Sequence, residues 1–174
     1  MQHDGYFAYI EQHRENVKKA WYHVLRPAIE SDSKYKDAVD SLDVLIESHD
    51  VSKYDPNEFH RYDAYFYKGL SAEESEIDLG WLHHQNSNRH HWQYWVIIPD
   101  DSDMDDSNTI RPLDMPLECI CEMLCDWHSF SNRNPSSTAY SWYTSRKHHM
   151  ILSQNTREVI EELLPYFKQP LGGV

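Results

Sequence analysis

The chain has 174 residues, 40% hydrophobic and 13% aromatic, with a formal net charge of -13. That length suits a single domain, 1–174, with a real core, and that composition excludes a disordered chain. The acidic balance argues against extended nucleic acid or anionic lipid as a partner, and no apolar run is long enough to cross a bilayer.

In chain order, the start MQHDGYFAYIEQH lacks the basic head and apolar stretch of a signal peptide. Most of the chain repeats its apolar residues every three or four positions, the helical period. In the first helix Ile10, His13, Val17, Ala20 and Val24 recur, which puts His13 on the apolar face. In the second, Ala38, Leu42, Leu45 and Ile46 form a stripe that His49 continues, with Asp50 directly after it. A third helix is expected from near Glu73, with Ile77, Trp81, His84, Asn88, His91 and Trp95 on one line and Trp81 and Trp95 pointing inward. Its middle, HHQNSNRHH, is a poor helix former.

PDDSDMDDSNTIRP, Pro99 to Pro112, reads as a solvated acidic loop without the ligand alternation and glycine of an EF-hand. MPLECICEMLCDWH is apolar nearly all round, as a buried helix is, with Pro116 in its first turn. Cys119, Cys121 and Cys125 all fall in that helix, a spacing that suits neither a disulfide framework nor a zinc ribbon and points to a reducing cytoplasm. SFSNRNPSSTAYSW reads as loop, and Thr156 as the cap of a final amphipathic helix through Val159, Ile160, Leu163 and Leu164. The whole is an all-α chain with no internal repeat and no dividing linker.

His13 and His49 thus lie on inward stripes of different helices, with Asp50 beside His49 and Asp126 near the end of the buried helix. Two imidazoles and two carboxylates on facing helices are a ligand set for a divalent transition metal, Mn, Fe, Co, Ni or Zn.

These residues, in the order H…HD…D, resemble the HD superfamily of metal-dependent hydrolases, and "HDVSK" resembles its HDxxK form with Lys53 as the lysine. The resemblance spans His13 to Asp126. The chain also resembles an uncharacterised bacterial and phage family with an H-x3-N-x-HHW pattern, here His84 to Trp92. The superfamily resemblance implies a compact HD-domain-like helical bundle around a metal site. It implies hydrolysis of a small phosphate-containing substrate, a nucleotide by default. Members with H…HD…H…H…D hold two ions; carried over, Asp50 would bridge them and His84 with His91, or its rival His90, would bind the second. The same order occurs in mixed-valent diiron oxygenases, so oxidation stays open beside hydrolysis. A non-catalytic nucleotide- or metal-binding protein is the third expectation.

Around this set stand further candidates, each with a plainer alternative. Lys53 would neutralise a substrate phosphate or sit exposed at a helix end. Glu58 would orient water or act as general base, or be a surface carboxylate. Arg14, Arg61 and Arg89 are candidate phosphate clamps. Glu122 could hydrogen-bond a ligand, although the exposed face of its helix is the expected place. Cys125 reads as a packing residue, not a nucleophile. Trp81, Trp92, Tyr94 and Trp95 read as core rather than as a base-stacking platform. His148 and His149 read as surface.

Overall fold

A computed structural model describes residues 4–98 and 110–172. The acidic stretch 99–109 expected to be a loop lies outside them. The first helix, α1 (Asp4–Lys19), runs without a break through a π-helical section (Ala20–Leu25) into α2 (Arg26–Ser31). Its inward line Ile10, Val17, Ala20, Trp21, Leu25 and Ile29 is fully buried, as the helical spacing requires. After a 3-10 turn, α3 (Val39–Glu47) buries Leu42 and Ile46 and stops just before His49 and Asp50. Asp50 has a left-handed backbone, φ 55°, which turns the chain sharply into a 3-10 turn (Val51–Tyr54) and α4 (Pro56–Phe66). Asp55 caps α4 by accepting a hydrogen bond from the backbone N–H of Asn57, and Pro56 sits at the first helical position, where it lacks only a spare N–H.

The expected third helix is shorter and broken. A single turn, α5 (Ala72–Ser75), is capped by the reciprocal Ser71–Glu74 box and ends at Glu76, whose φ is 53°. Then α6 (Ile77–Ser87) stops where Asn88 turns extended and its amide Nδ2 donates back to the carbonyl of His84 at 2.8 Å. The side chain supplies a bond that the next helical turn would have made. His90 and His91 therefore lie on a turn, followed by a 3-10 segment (Trp92–Trp95). Trp81 is 37% exposed, not inward, and Trp95 is half-buried. Strand β1 (Val96–Ile97) pairs antiparallel with β2 (Arg111–Pro112).

The centre of the molecule is α7 (Leu117–Ser129), packed by α1 and α3 on one side and by α8 (Ala139–Arg146) and α9 (Gln154–Leu163) on the other. Every residue from Cys119 to Asp126 is buried. Pro116 is the residue before the helix rather than part of its first turn. The loop expected around Asn134 gives way to α8 at Ala139, with Thr138 as its cap. The cap of α9 is Ser153, which accepts from the N–H of Thr156; Thr156 is itself buried and accepts from the N–H of Met115. The result is a compact helical fold with a cluster of histidines and carboxylates buried in it. No helix among the described residues is long and apolar enough to cross a membrane.

Candidate metal centre

The ends of α3 and α6, the middle of α1 and the last turns of α7 bring His13, His49, Asp50, His84, His90 and Asp126 together, each 9% exposed or less. The Asp50 carboxylate is the hub. Its Oδ2 lies 3.4 Å from His13 Nε2, 3.5 Å from His49 Nε2 and 3.0 Å from Lys53 Nζ. Its Oδ1 lies 3.5 Å from His84 Nε2 and 3.6 Å from His90 Nε2. Asp126 Oδ1 completes the first side, 3.1 Å from His13 Nε2 and 3.8 Å from His49 Nε2.

The imidazoles are held from behind. His49 Nδ1 and His90 Nδ1 both face Glu122 Oε1, at 2.9 and 3.1 Å. His84 Nδ1 faces Glu58 Oε1 at 2.6 Å, and His13 Nδ1 is 3.2 Å from Ser129 Oγ. An Nδ1–H given to a carboxylate leaves Nε2 as a lone-pair donor, so His49, His84 and His90 each point Nε2 toward Asp50 for ligation, as His13 does when its Nδ1–H donates to Ser129 Oγ.

The site corrects two expectations. Glu122 is not on an exposed face: it is 6% exposed and binds two rings. Glu58 is not a surface carboxylate: it is wholly buried, and its second oxygen faces His83 at 3.3 Å. With both oxygens so placed, Glu58 positions His84 rather than standing free beside a reacting group.

Two sets of donor atoms converge at Asp50: Asp50 with His84, His90 and His91, and His13 with His49 and Asp126. A third, His49 with His90 and Glu122, lies behind the rings, and in each set every atom is within 4.8 Å of the others. The separations between neighbouring donors match those of nitrogens and oxygens roughly 2.1 Å from a shared ion. Asp50 Oδ1, His90 Nε2 and His91 Nε2 are buried and without hydrogen-bond partners. An orphaned buried polar atom costs about 1–3 kcal/mol, and a cation satisfies all three at once. The residues present therefore fit a metal ion, and their donor types suit a divalent transition metal.

The Asp50, Glu122 and Asp126 carboxylates stay ionised, while the imidazoles divide: His49 and His91 are lowered, His13 and His90 raised. Burial pushes the Glu122 carboxyl up, but the bonds from His49 and His90 overcome it and hold it down at about 2. Burial disfavours charge on His90, yet the bond to Glu122 raises it to about 9, so an ion binding at Nε2 would have to displace a proton there. Burial, with His90 and His84 nearby, drops His91 to about 2, so it stays a neutral donor. Asp50 stays ionised against its burial because His49 and Lys53 flank it.

The three candidate arginines are not part of this cluster. Arg14 donates to the Glu47 carbonyl at 2.8 Å and to the Tyr54 hydroxyl; Arg61 donates to the Asn57 carbonyl and the Glu76 carboxylate; Arg89 lies exposed over the Trp95 ring. Lys53 does reach it, and it also lines a cavity of about 440 Å³ with Tyr6, Tyr9, Tyr62, Phe66, Tyr67 and Arg133. A second cavity, about 670 Å³, meets the site at His90 and Glu122 and includes Arg89. Cys125 and its two neighbours are buried and unpaired, and burial raises their thiols, as packing residues require.

The chain belongs to a family of unknown function, DUF5662, whose model matches residues 2–165. No curated protein and no solved structure matches it.

Proposed function

We propose that this member of DUF5662 is an HD-type, metal-dependent phosphohydrolase acting on a nucleotide or another small phosphate ester. The observation that carries the reading is the Asp50 carboxylate, with one oxygen among His13, His49 and Lys53 and the other between His84 and His90. A carboxylate so placed suits a bridge between two ions. His13, His49, Asp50 and Asp126 would hold one ion, and Asp50, His84, His90 and His91 the other. Divalent ions held there would supply Lewis acidity toward a phosphoryl oxygen and would lower the pKa of bound water.

The chain's own residues do the rest. Glu122, Glu58 and Ser129 fix the rings so that Nε2 faces inward. Lys53, 3.0 Å from Asp50, carries an ammonium between the ligands and the aromatic cavity, where it would offset phosphate charge. Phosphoryl transfer asks mainly for such positioning and charge. Three buried cysteines without a disulfide support a reducing, cytoplasmic setting.

The test starts with elemental analysis of untagged protein purified without chelator. It continues with phosphate release from a panel of nucleoside phosphates under Mn, Co, Ni, Fe or Zn. Turnover lost in Asp50→Asn supports the reading. Two irons with oxygen consumption and no phosphate release would replace it with the oxygenase; a retained nucleotide without turnover would replace it with a binder.

A further inference from the structure

Arg133 came from no motif, yet it lines the same cavity as Lys53. Its guanidinium lies 5.2 Å over the Tyr9 ring, and among the described residues it has no carboxylate partner. Arg133 is exposed at the cavity's edge, and a cation there with no acid beside it among the described residues is a handle for an anion or a polar ring substituent. Tyr9 in turn lies parallel to the His13 ring, 6.0 Å between centroids and 5° between planes. Arg133, Tyr9 and His13 thus form a stack leading from the cavity to the ligand cluster.

Tyr6 makes the second observation. It is 1% exposed and lines the cavity, and its hydroxyl has no hydrogen-bond partner. Buried tyrosine hydroxyls normally find one. Tyr6 is stacked on Tyr62 at 5.9 Å and tilted against Tyr67 at 5.8 Å, so ring faces dominate the walls. Tyr67 closes over Gly5, where an added Cβ would come within 2.7 Å of the ring. A cavity with aromatic walls and a few polar handles is built for a flat-ringed ligand.

We infer that this cavity is the specificity subsite of the centre: it holds the flat, ring-bearing portion of a phosphate ester, with the Tyr6 hydroxyl and Arg133 as its polar handles. The inference rests on the phosphohydrolase reading for the ester's other end, at Lys53 and the ligand cluster. Selection for phosphates with a flat aromatic ring over those without then comes from Tyr6, Tyr9 and Arg133, none of which belongs to the metal-ligand cluster.

Equilibrium binding to the full metal-loaded chain separates the two readings. Isothermal titration compares the non-hydrolysable phosphonate analogues of 5'-AMP, p-nitrophenyl phosphate and ribose 5-phosphate, in which CH2 replaces the bridging ester oxygen. The aromatic probes are expected to bind about ten-fold tighter. Tyr6→Phe and Arg133→Gln should shrink that ratio several-fold while leaving binding of the ribose probe and metal content unchanged, and Arg133→Lys should recover part of it. Equal binding of the aromatic probes and the ribose probe overturns the subsite, as does equal weakening of all three probes in both variants. A preference for the aromatic probes that persists in a protein without phosphatase turnover keeps the subsite and overturns the phosphohydrolase reading instead.

Discussion

Glu58 Oε1 stands 2.6 Å from His84 Nδ1 with the whole Glu58 side chain shut off from solvent. A buried carboxylate on an imidazole fixes the ring's tautomer and raises its basicity as a ligand. Glu58→Gln keeps the shape but can present an N–H where the carboxylate accepted one. We expect metal affinity at the Asp50–His84–His90–His91 group to fall about 10–100-fold. Competition with a chromogenic chelator measures it; unchanged affinity would show that Glu58 does not orient His84.

Asp50 and His84 differ in how many donor sets they serve. Asp50 faces both, through different oxygens, whereas His84 faces one. Asp50 also has a left-handed backbone, which Asn adopts more readily than most residues, so Asp50→Asn isolates the lost charge from backbone strain. Asp50→Asn should lose metal at both sets and His84→Ala at one only. Anomalous-scattering maps of the two variants count the peaks. Identical loss of a single peak in both, with activity kept, would rule out the bridge.

How much of this was legible depended on which residues shared a period. His13 and His49 could be read because each continues an apolar stripe, and Asp126 because its helix is buried on every face. The same all-round apolarity was the signal for Glu122, which lies one turn before Asp126 and could not have had an exposed face. Tyr6 also shares the line through Ile10 and His13, at helical spacing. The period alone would carry His90 and His91 on a helix that Asn88 in fact ends, so their burial comes from a turn that periodicity does not describe. Glu58 could be singled out as a carboxylate near the HD pair, but its burial behind His84 gave no local sign, and Arg133 gave none at all. Their places are set by how α4 packs on α6 and by the chain beyond α7, which are tertiary facts.

His128 supplies a pH dependence next to the site but not within it. It is fully buried against the Phe167 ring, its Nδ1 accepts from the Ala139 N–H, and burial drops its pKa to about 4. Unfolded, it titrates near 6.5. Between these values the unfolded chain takes up a proton that the folded one refuses, so this residue lowers stability as pH falls through that window. The effect reaches roughly 3 kcal/mol at its acid end. Urea melts at pH 7 and pH 4.5 should show wild type losing more stability than His128→Gln. Equal losses would mean that His128 is not held neutral.

A bound ion should stabilise this fold without being needed to form it. The apolar core formed by Trp21, Leu25, Ile46, Leu124, Ile160 and Phe167 owes nothing to the ligands, so the chain should stay folded when its metal is stripped. The ligand cluster is different. Four buried carboxylates, Asp50, Glu58, Glu122 and Asp126, crowd five imidazoles and Lys53, and three of the donor atoms lack partners. An ion that binds only the folded chain stabilises it by about 2.7 kcal/mol at one hundred times its Kd. For a chain of this length that corresponds to roughly 5–10 °C in Tm. Chelator should lower the Tm by that amount with helical circular dichroism retained below the transition, and restored metal should reverse it. Asp50→Asn should melt at one temperature with or without metal. A chelator-insensitive Tm in the wild-type chain would mean that these side chains satisfy one another and hold no ion.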